Sequence, residues 1–232
     1  MVFFAPVAAM NIAPSGGNTI SGHPNMGNNI VSFWDLNGNG TDAHGSNDLT
    51  LTGGSFTTGL LGQAASLDGV NDTLSSSYAG IGGSSARSFA CWFKTANASD
   101  VSLCDYGSTT SGGRNGMGID FFGVPAFVVV NGRTTGSSTV DDDSWHSIVF
   151  SFSGTQVQDC KIYVDGVEET YTYSSGTTAI NTGSSWNLGL GYSGNFGQYL
   201  GGLIQSAGFW SYALSAADAA DFHNGGTPLR YA

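Results

Sequence analysis

The sequence predicts an all-β protein: one two-sheet antiparallel β-sandwich with a short C-terminal helix and an N-terminal arm. Three observations carry this. Residues 145–153 alternate, with Ile148, Phe150 and Phe152 on one side and Ser147, Ser151 and Ser153 among the others, the period of a strand with one buried face. Asp165-Gly166 ends a second alternating segment, and both positions tolerate the positive φ that a two-residue hairpin needs. Finally, 36 of the 232 residues are Gly, Ser and Thr abound, and long helix formers are scarce. That composition favours many short strands joined by tight turns.

The elements follow in order. Residues 1–29 hold three of the five prolines and none of the charged residues, and are predicted to form an arm. Its apolar tip (Val2, Phe3, Phe4, Val7) is a liability in water, so it either packs on its own sandwich or docks on a neighbouring subunit. The sandwich is predicted over 30–226, with 227–232 as a tail. Residues 30–34 form a first strand, and an Asn-, Gly- and Asp-rich loop runs to Asp48. Further strands are expected at 49–51, 64–67, 72–74 and 88–94. In the last of these Phe89, Cys91 and Phe93 oppose Ala90, Trp92 and Lys94, so both faces are apolar and the strand is central. Strands at 101–106, 116–122 and 126–131 continue the pattern. Those at 157–164 and 169–173 flank the Asp165-Gly166 turn, and 186–190 and 202–210 close the set. One helix is predicted at 216–224. Ser215 is its N-cap, Asp218 completes a capping box, and Gly225-Gly226 supply the stop.

Composition excludes some function classes. With 17 acidic residues against 6 basic ones and a net charge of −11, nucleic acid is excluded as a partner, because phosphate binding needs clustered Lys and Arg. No segment is long enough to span a membrane. The first ten residues lack a positive n-region and Pro6 interrupts them, so they are not read as a signal peptide. The three cysteines show no metal-binding spacing and are expected as buried free thiols, with a Cys91–Cys104 bridge as the alternative.

Several segments, taken in order, resemble the laminin-G-like and concanavalin-A-like lectin domains. They are Trp34-Asp35-Leu36, Asn47-Asp48-Leu49-Thr50, residues 62–69 (GQAASLDG), 88–94 (SFACWFK), Trp145-His146, Tyr163-Val164-Asp165-Gly166, 201–209 (GGLIQSAGF) and 213–218 (ALSAAD). The resemblance implies a jelly roll and a module that binds sugars, calcium or proteins without catalysis. Gln205 stands where such domains usually carry an Asp near a structural calcium.

The residues agree with the absence of catalysis. Glycoside hydrolysis needs two carboxylates a set distance apart across the bond. The two glutamates, Glu168 and Glu169, are neighbours, and Asp141-Asp142-Asp143 reads as a turn. No G-x-S-x-G nucleophile motif occurs. Two loops offer hard oxygen donors suited to Ca²⁺, with Asp42 and Asp68 as the candidate ligands; self-capping Asx turns are the alternative. Candidate contacts to a glycan or partner are Tyr106, Arg114 and Asn115 in one loop, and Tyr192, Asn195, Phe196 and Tyr199 in another. Two functions follow as expectations. The first is a non-catalytic adhesive component on the surface of a large assembly such as a virion, held to other subunits by the arm and open to homo-oligomerisation. The alternative is a free, secreted glycan-binding module, calcium-dependent or not.

Overall fold

The computed structural model describes residues 19–97, 99–174 and 177–232. From the N-terminus the strands are β1 (Ile30–Trp34), β2 (Thr50–Thr52), β3 (Ser55–Thr58), β4 (Gln63–Asp68), β5 (Thr73–Ser75), β6 (Arg87–Thr95), β7 (Val101–Gly107), β8 (Arg114–Ile119) and β9 (Pro125–Val129). They continue as β10 (Gly132–Thr135), β11 (Trp145–Phe152), β12 (Cys160–Val164), β13 (Val167–Glu168), β14 (Thr172–Ser174), β15 (Trp186–Leu190), β16 (Tyr192–Ser193), β17 (Gln198–Tyr199) and β18 (Gly201–Trp210). Helices α1 (Pro24–Asn28) and α2 (Ala216–His223) lie at the two ends.

The described strands form two eight-stranded antiparallel sheets and a small ribbon. The first sheet runs β13-β12-β11-β6-β18-β4-β3, with β1 also on β18. The second runs β14-β10-β9-β8-β7-β15-β5-β2, and β16 and β17 make the ribbon. This is the predicted sandwich. Strand β6 lies between β11 and β18 at the centre of its sheet, as its two apolar faces require. Phe89, Cys91 and Phe93 join Ile148, Phe150 and Phe152 in the core shared with Leu103, Met117, Ile119 and Phe127 of the other sheet.

A second apolar cluster covers the outer face of the first sheet. Ala90, Trp92, Val149, Tyr163 and Trp210 pack there with Ile20, Met26, Phe222 and Leu229. Residues 19–29 belong to the domain, because Ile20 and Met26 are fully buried and Trp210 Nε1 donates to the Met26 carbonyl at 2.8 Å. Val2, Phe3, Phe4 and Val7 lie outside the described residues.

Helix α2 has the predicted start. Ser215 Oγ accepts from Asp218 N–H at 3.2 Å, and the Asp218 carboxylate accepts from Ser215 N–H at 2.8 Å. Its end differs slightly: Asn224, in the left-handed region at φ 46°, is the C-cap ahead of the two glycines. Asp165 and Gly166 both have positive φ, 49° and 80°, as the β12–β13 hairpin demands. Several predicted strands are redrawn. The 157–164 strand begins only at Cys160, because Val157–Asp159 make a 3-10 turn in which the Asp159 carboxylate accepts the Thr155 and Gln156 N–H groups at 2.8 and 2.9 Å. The 169–173 strand is displaced: β13 takes Val167–Glu168 on the first sheet, and of 169–173 only Thr172 and Tyr173 are strand, in β14 beside β10 on the second. Between them the Glu169 carboxylate is withdrawn to accept the N–H groups of Ser137 and Ser138 at 2.6 and 2.7 Å. The 116–122 strand ends at Ile119, since the Asp120 carboxylate accepts the Phe122 N–H at 2.9 Å and closes a turn. Cys91, Cys104 and Cys160 are free and buried, and burial pushes all three thiols up.

Candidate functional site

The two sheets differ in what covers their outer faces. The first is roofed by α1, α2 and the C-terminal residues. The second carries polar groups outward. Alternation along β8 sends Met117 and Ile119 into the core and leaves Arg114, Gly116 and Gly118 on the opposite side. A bulge in β7 between Ser102 and Cys104 puts Leu103, Cys104 and Tyr106 all against the core. Asp105 is turned out to meet Arg114.

That pair is the centre of the site. Arg114 Nε donates to Asp105 Oδ2 at 2.6 Å, with the two side chains 6% and 1% exposed. Trp186 Nε1 donates to the other carboxylate oxygen at 2.8 Å. The guanidinium also meets Gln198 Oε1 and lies 4.0 Å over the Phe196 ring. Burial raises the Asp105 pKa, and the charge and hydrogen bond of Arg114 only partly offset it. A buried ion pair satisfied from several sides holds its geometry before any ligand arrives. Gly116 makes room for this arrangement: a Cβ there would come within 2.7 Å of Arg114 Nε.

Beside the pair lies a cleft of about 430 Å³ lined by Ser76, Asp105, Trp186, Asn187, Tyr192 and Asn195, among others. The β16–β17 ribbon forms its wall. Tyr192 and Tyr199 stack across the ribbon at 6.4 Å, and Phe196 in its turn meets Trp186 edge-on at 6.1 Å. Aromatic faces, amide groups and a fixed carboxylate thus converge on one concave surface.

Of the predicted contact residues, Arg114, Tyr192, Asn195, Phe196 and Tyr199 are brought together here. Tyr106 and Asn115 are not. Tyr106 is 0% exposed, packs edge-on against Phe209 and meets the Arg87 guanidinium at 3.3 Å. Asn115 is 0% exposed, since as the neighbour of Arg114 on a strand it points to the inner face. Trp186 and Asp105 were not among the predicted contacts, whereas Gln198 belongs to the predicted 192–199 loop. A carboxylate inside the apolar run 101–106 is the signal for Asp105, because a buried charge demands a partner.

The candidate calcium ligands serve their own loops. Asp42 Oδ1 accepts the N–H groups of Phe33, His44 and Gly45 at 2.9–3.1 Å, and Oδ2 accepts that of Asn47 at 3.0 Å. Burial works against ionisation of Asp42, yet these bonds hold its carboxyl below the usual range. Asp68 accepts N–H bonds from Val70 and Asn71 at 2.8 and 3.2 Å, which lower it likewise. Gln205, in the place of the family's Asp, accepts the Leu60 N–H at 2.7 Å and pins the β3–β4 turn. Both Asp42 oxygens and Asp68 Oδ1 are thus engaged by N–H groups of their own loops. Among the described residues no group of three or more His, Cys, Asp or Glu is placed to hold a metal.

One cluster superficially resembles a hydrolytic triad. Ser147 Oγ lies 3.0 Å from His223 Nδ1, and Asp165 Oδ1 lies 3.8 Å from the same nitrogen. A relay needs the base and its orienting carboxylate on different ring nitrogens, and Ser147 is 1% exposed. The cluster fastens α2 to β11. Among the described residues no helix is long and apolar enough to cross a membrane.

Comparison with known proteins places the chain. The sequence profile described as the concanavalin A-like lectin/glucanases superfamily matches residues 68–220. No curated protein sequence matches. Domain 4 of a GH43 extracellular arabinanase from Geobacillus stearothermophilus, solved in complex with arabinotriose, superposes with TM-score 0.64 at 16% identity, covering 84% of this chain and 98% of that one. Trypanosoma rangeli sialidase in complex with the inhibitor DANA gives 0.62 at 13% identity, over 84% of this chain but 32% of the enzyme. The receptor-binding domain of the botulinum neurotoxin C/D mosaic serotype gives 0.61 at 14%, over 85% and 51%. The chain thus spans about a third of the sialidase and half of the toxin domain. Identities this low establish the shared fold. With the profile covering residues 68–220, the chain belongs to the concanavalin A-like lectin/glucanases superfamily.

Proposed function

We propose that this chain is a non-catalytic glycan-binding module and that its site is the cleft between the β16–β17 ribbon and the Arg114–Asp105 pair. The observation that carries the reading is the convergence of Trp186, Tyr192, Asn195 and Asp105 on one cleft of about 430 Å³. Sugar rings present apolar C–H patches, which aromatic faces cover, and hydroxyls, which the Asn187 and Asn195 amides can engage, with Asp105 holding Trp186 in place beneath them. The arabinanase domain solved with arabinotriose shows that this fold is used for an oligosaccharide in at least one relative. These features favour glycan binding over a purely structural role on an assembly surface, whose support is the apolar tip at Val2, Phe3, Phe4 and Val7.

The test is a glycan array followed by titration calorimetry on the array hits. Tyr192→Ala and Asn195→Ala are expected to abolish or strongly weaken binding while the far-ultraviolet circular dichroism stays unchanged. A protein that binds no glycan on the array refutes the reading. Removing residues 1–18 is expected to leave glycan binding intact. A truncated chain that no longer joins a particle or complex containing the full-length protein would favour the assembly reading instead.

A further inference from the structure

Arg114 grips the ribbon from the sheet side. Strands β16 and β17 have two residues each, and a two-stranded ribbon so short needs an anchor outside itself. Its base is anchored by the backbone: Gly191 N–H donates to the Leu103 carbonyl at 3.0 Å, and Leu200 N–H to the Gly191 carbonyl at 2.8 Å. Its tip is held by side chains. The Arg114 Nη2 group donates to Gln198 Oε1, and the guanidinium lies 4.0 Å over the Phe196 ring. Phe196 also meets Trp186, and Trp186 and Arg114 donate to the two oxygens of Asp105. Asp105, Arg114, Phe196 and Trp186 thus close a ring of contacts at the tip. Asn195, the residue before Phe196, lines the cleft, so its place depends on this grip.

A guanidinium beside a sugar cleft invites the reading that it pairs with a sugar carboxylate. The geometry is against that. Nε is committed to Asp105 at 2.6 Å and Nη2 to Gln198, Phe196 covers one face of the plane, and the side chain is only 6% exposed. The cleft itself is lined by serine, asparagine, glycine, tyrosine and tryptophan with Asp105, and by no Lys, Arg or His among the described residues. Nothing there balances an anionic ligand, and a chain of net charge −11 repels one.

Building on the glycan-binding reading, we infer that Arg114 is a positioning residue that holds the ribbon tip, not a ligand for an anionic sugar, and that the cleft takes uncharged glycans. A lysine is no substitute. Its ammonium still faces Asp105, but it has no planar fork to reach Gln198 as well and no flat face for Phe196.

The experiment uses the full chain and its R114K and Q198A variants. The first keeps a charge beside Asp105. The second leaves the ion pair untouched, and Gln198 does not line the cleft. Hydrogen exchange by NMR, measured without ligand, follows the Phe196 amide, which donates to the Ser193 carbonyl at 3.1 Å. It should exchange about tenfold faster in both variants, the scale of one cation–π or charged hydrogen-bond contact, while the β6 amides keep their wild-type rates. Calorimetry then measures arabinotriose, the strongest neutral ligand of the array, and sialyllactose. Both variants should bind the neutral ligands about tenfold more weakly, and the wild type should prefer them to sialyllactose. A Phe196 amide that is unprotected in the wild type, or whose rate neither variant changes, overturns the grip. Faster exchange with unchanged affinity overturns the positioning role. Sialyllactose bound more tightly than the neutral ligands overturns the charge argument, and its loss in R114K would assign Arg114 to the ligand. If R114K does not fold, Q198A decides alone. A wild type that binds no glycan removes the glycan-binding reading and the inference with it; the exchange rates, taken without ligand, tell that case from a failure of the grip.

Discussion

Substituting Asp105 by Ala probes the pair on which the site is built. The Arg114 and Asp105 side chains are 6% and 1% exposed and 2.6 Å apart. Removing the carboxylate strands a buried guanidinium and deprives Trp186 Nε1 of its acceptor. Breaking a buried pair from one side costs about 3–5 kcal/mol, which for a chain of this size lowers Tm by roughly 6–20 °C. Arg114→Ala should cost less, because the carboxylate left behind already has a raised pKa and can shed its charge by protonation. Its cost should shrink further as pH falls. The double variant D105A/R114A removes both charges, so it should be more stable than the sum of the single changes predicts, by about 0.5–3 kcal/mol. Urea melts of the four proteins at two pH values complete the cycle. A D105A loss under about 1 kcal/mol, or strict additivity in the double variant, would mean that the pair is not a coupled buried unit and that Gln198 and Phe196 alone hold the guanidinium.

Three more outcomes are expected. Ser215→Ala removes the acceptor for Asp218 N–H and should cost about 1 kcal/mol by urea denaturation, with no effect on glycan affinity. Asp42→Ala leaves four loop N–H groups without their acceptor and should destabilise by about 2–4 kcal/mol, whereas calcium or a chelator should leave the wild-type Tm unchanged in differential scanning fluorimetry; a calcium-dependent rise in Tm would restore a metal site. His146 is bonded to Asp165 at 2.8 Å, which raises its pKa above the ordinary 6.5. The folded state therefore prefers the protonated ring, and this stabilisation is complete below pH 6.5 and lost as pH rises through the folded value. Asp165, lowered from 3.8 by the same bond against the effect of its burial, sets the acid limit. Wild-type minus His146→Gln stability should thus be greatest between these limits and decline toward alkaline pH, and a flat difference would remove His146 from the fastening of β11 to the β12–β13 turn.

The fold was legible because its signals are local and repeated. The alternation in β6 and β11, the Asp165-Gly166 hairpin and the Ser215–Asp218 box each specify their own geometry, and each is realised. The site was legible only in part. Reading 106–115 as one loop made Tyr106 and Asn115 look available, but both lie within strands, and strand parity sends Arg114 out and Asn115 in. The β7 bulge is the less accessible error. It shifts the alternation by one residue, so that no count along 101–106 reveals that Asp105 faces outward. Phe121 and Phe122 read as strand because they are apolar and aromatic; the Asp120 side chain, which closes the turn by accepting the Phe122 N–H, decides otherwise. The aspartates of the early loops show the reverse ambiguity. Oxygen-rich loops satisfy a calcium ion or their own backbone equally well from composition, and here the N–H groups of 33–47 occupy the Asp42 oxygens.

The two sheets dispose of their outer faces differently. Both outer faces must be dealt with, since a sheet face bearing Trp92, Trp210 and Val149 is insoluble if bare. On the first sheet the chain ends supply the cover, with Ile20, Met26, Phe222 and Leu229 burying it. On the second sheet the β16–β17 ribbon lies beside β7, with Gln198 and Phe196 over Arg114, and the outward positions there are Gly, Arg and Asp rather than large apolar groups. A face built this way is soluble alone, concave beside the ribbon, and lined by charges already paired. Variants that disturb the α2 roof should lower stability without altering ligand preference, and Tyr192 and Asn195 variants in the ribbon cleft should do the converse.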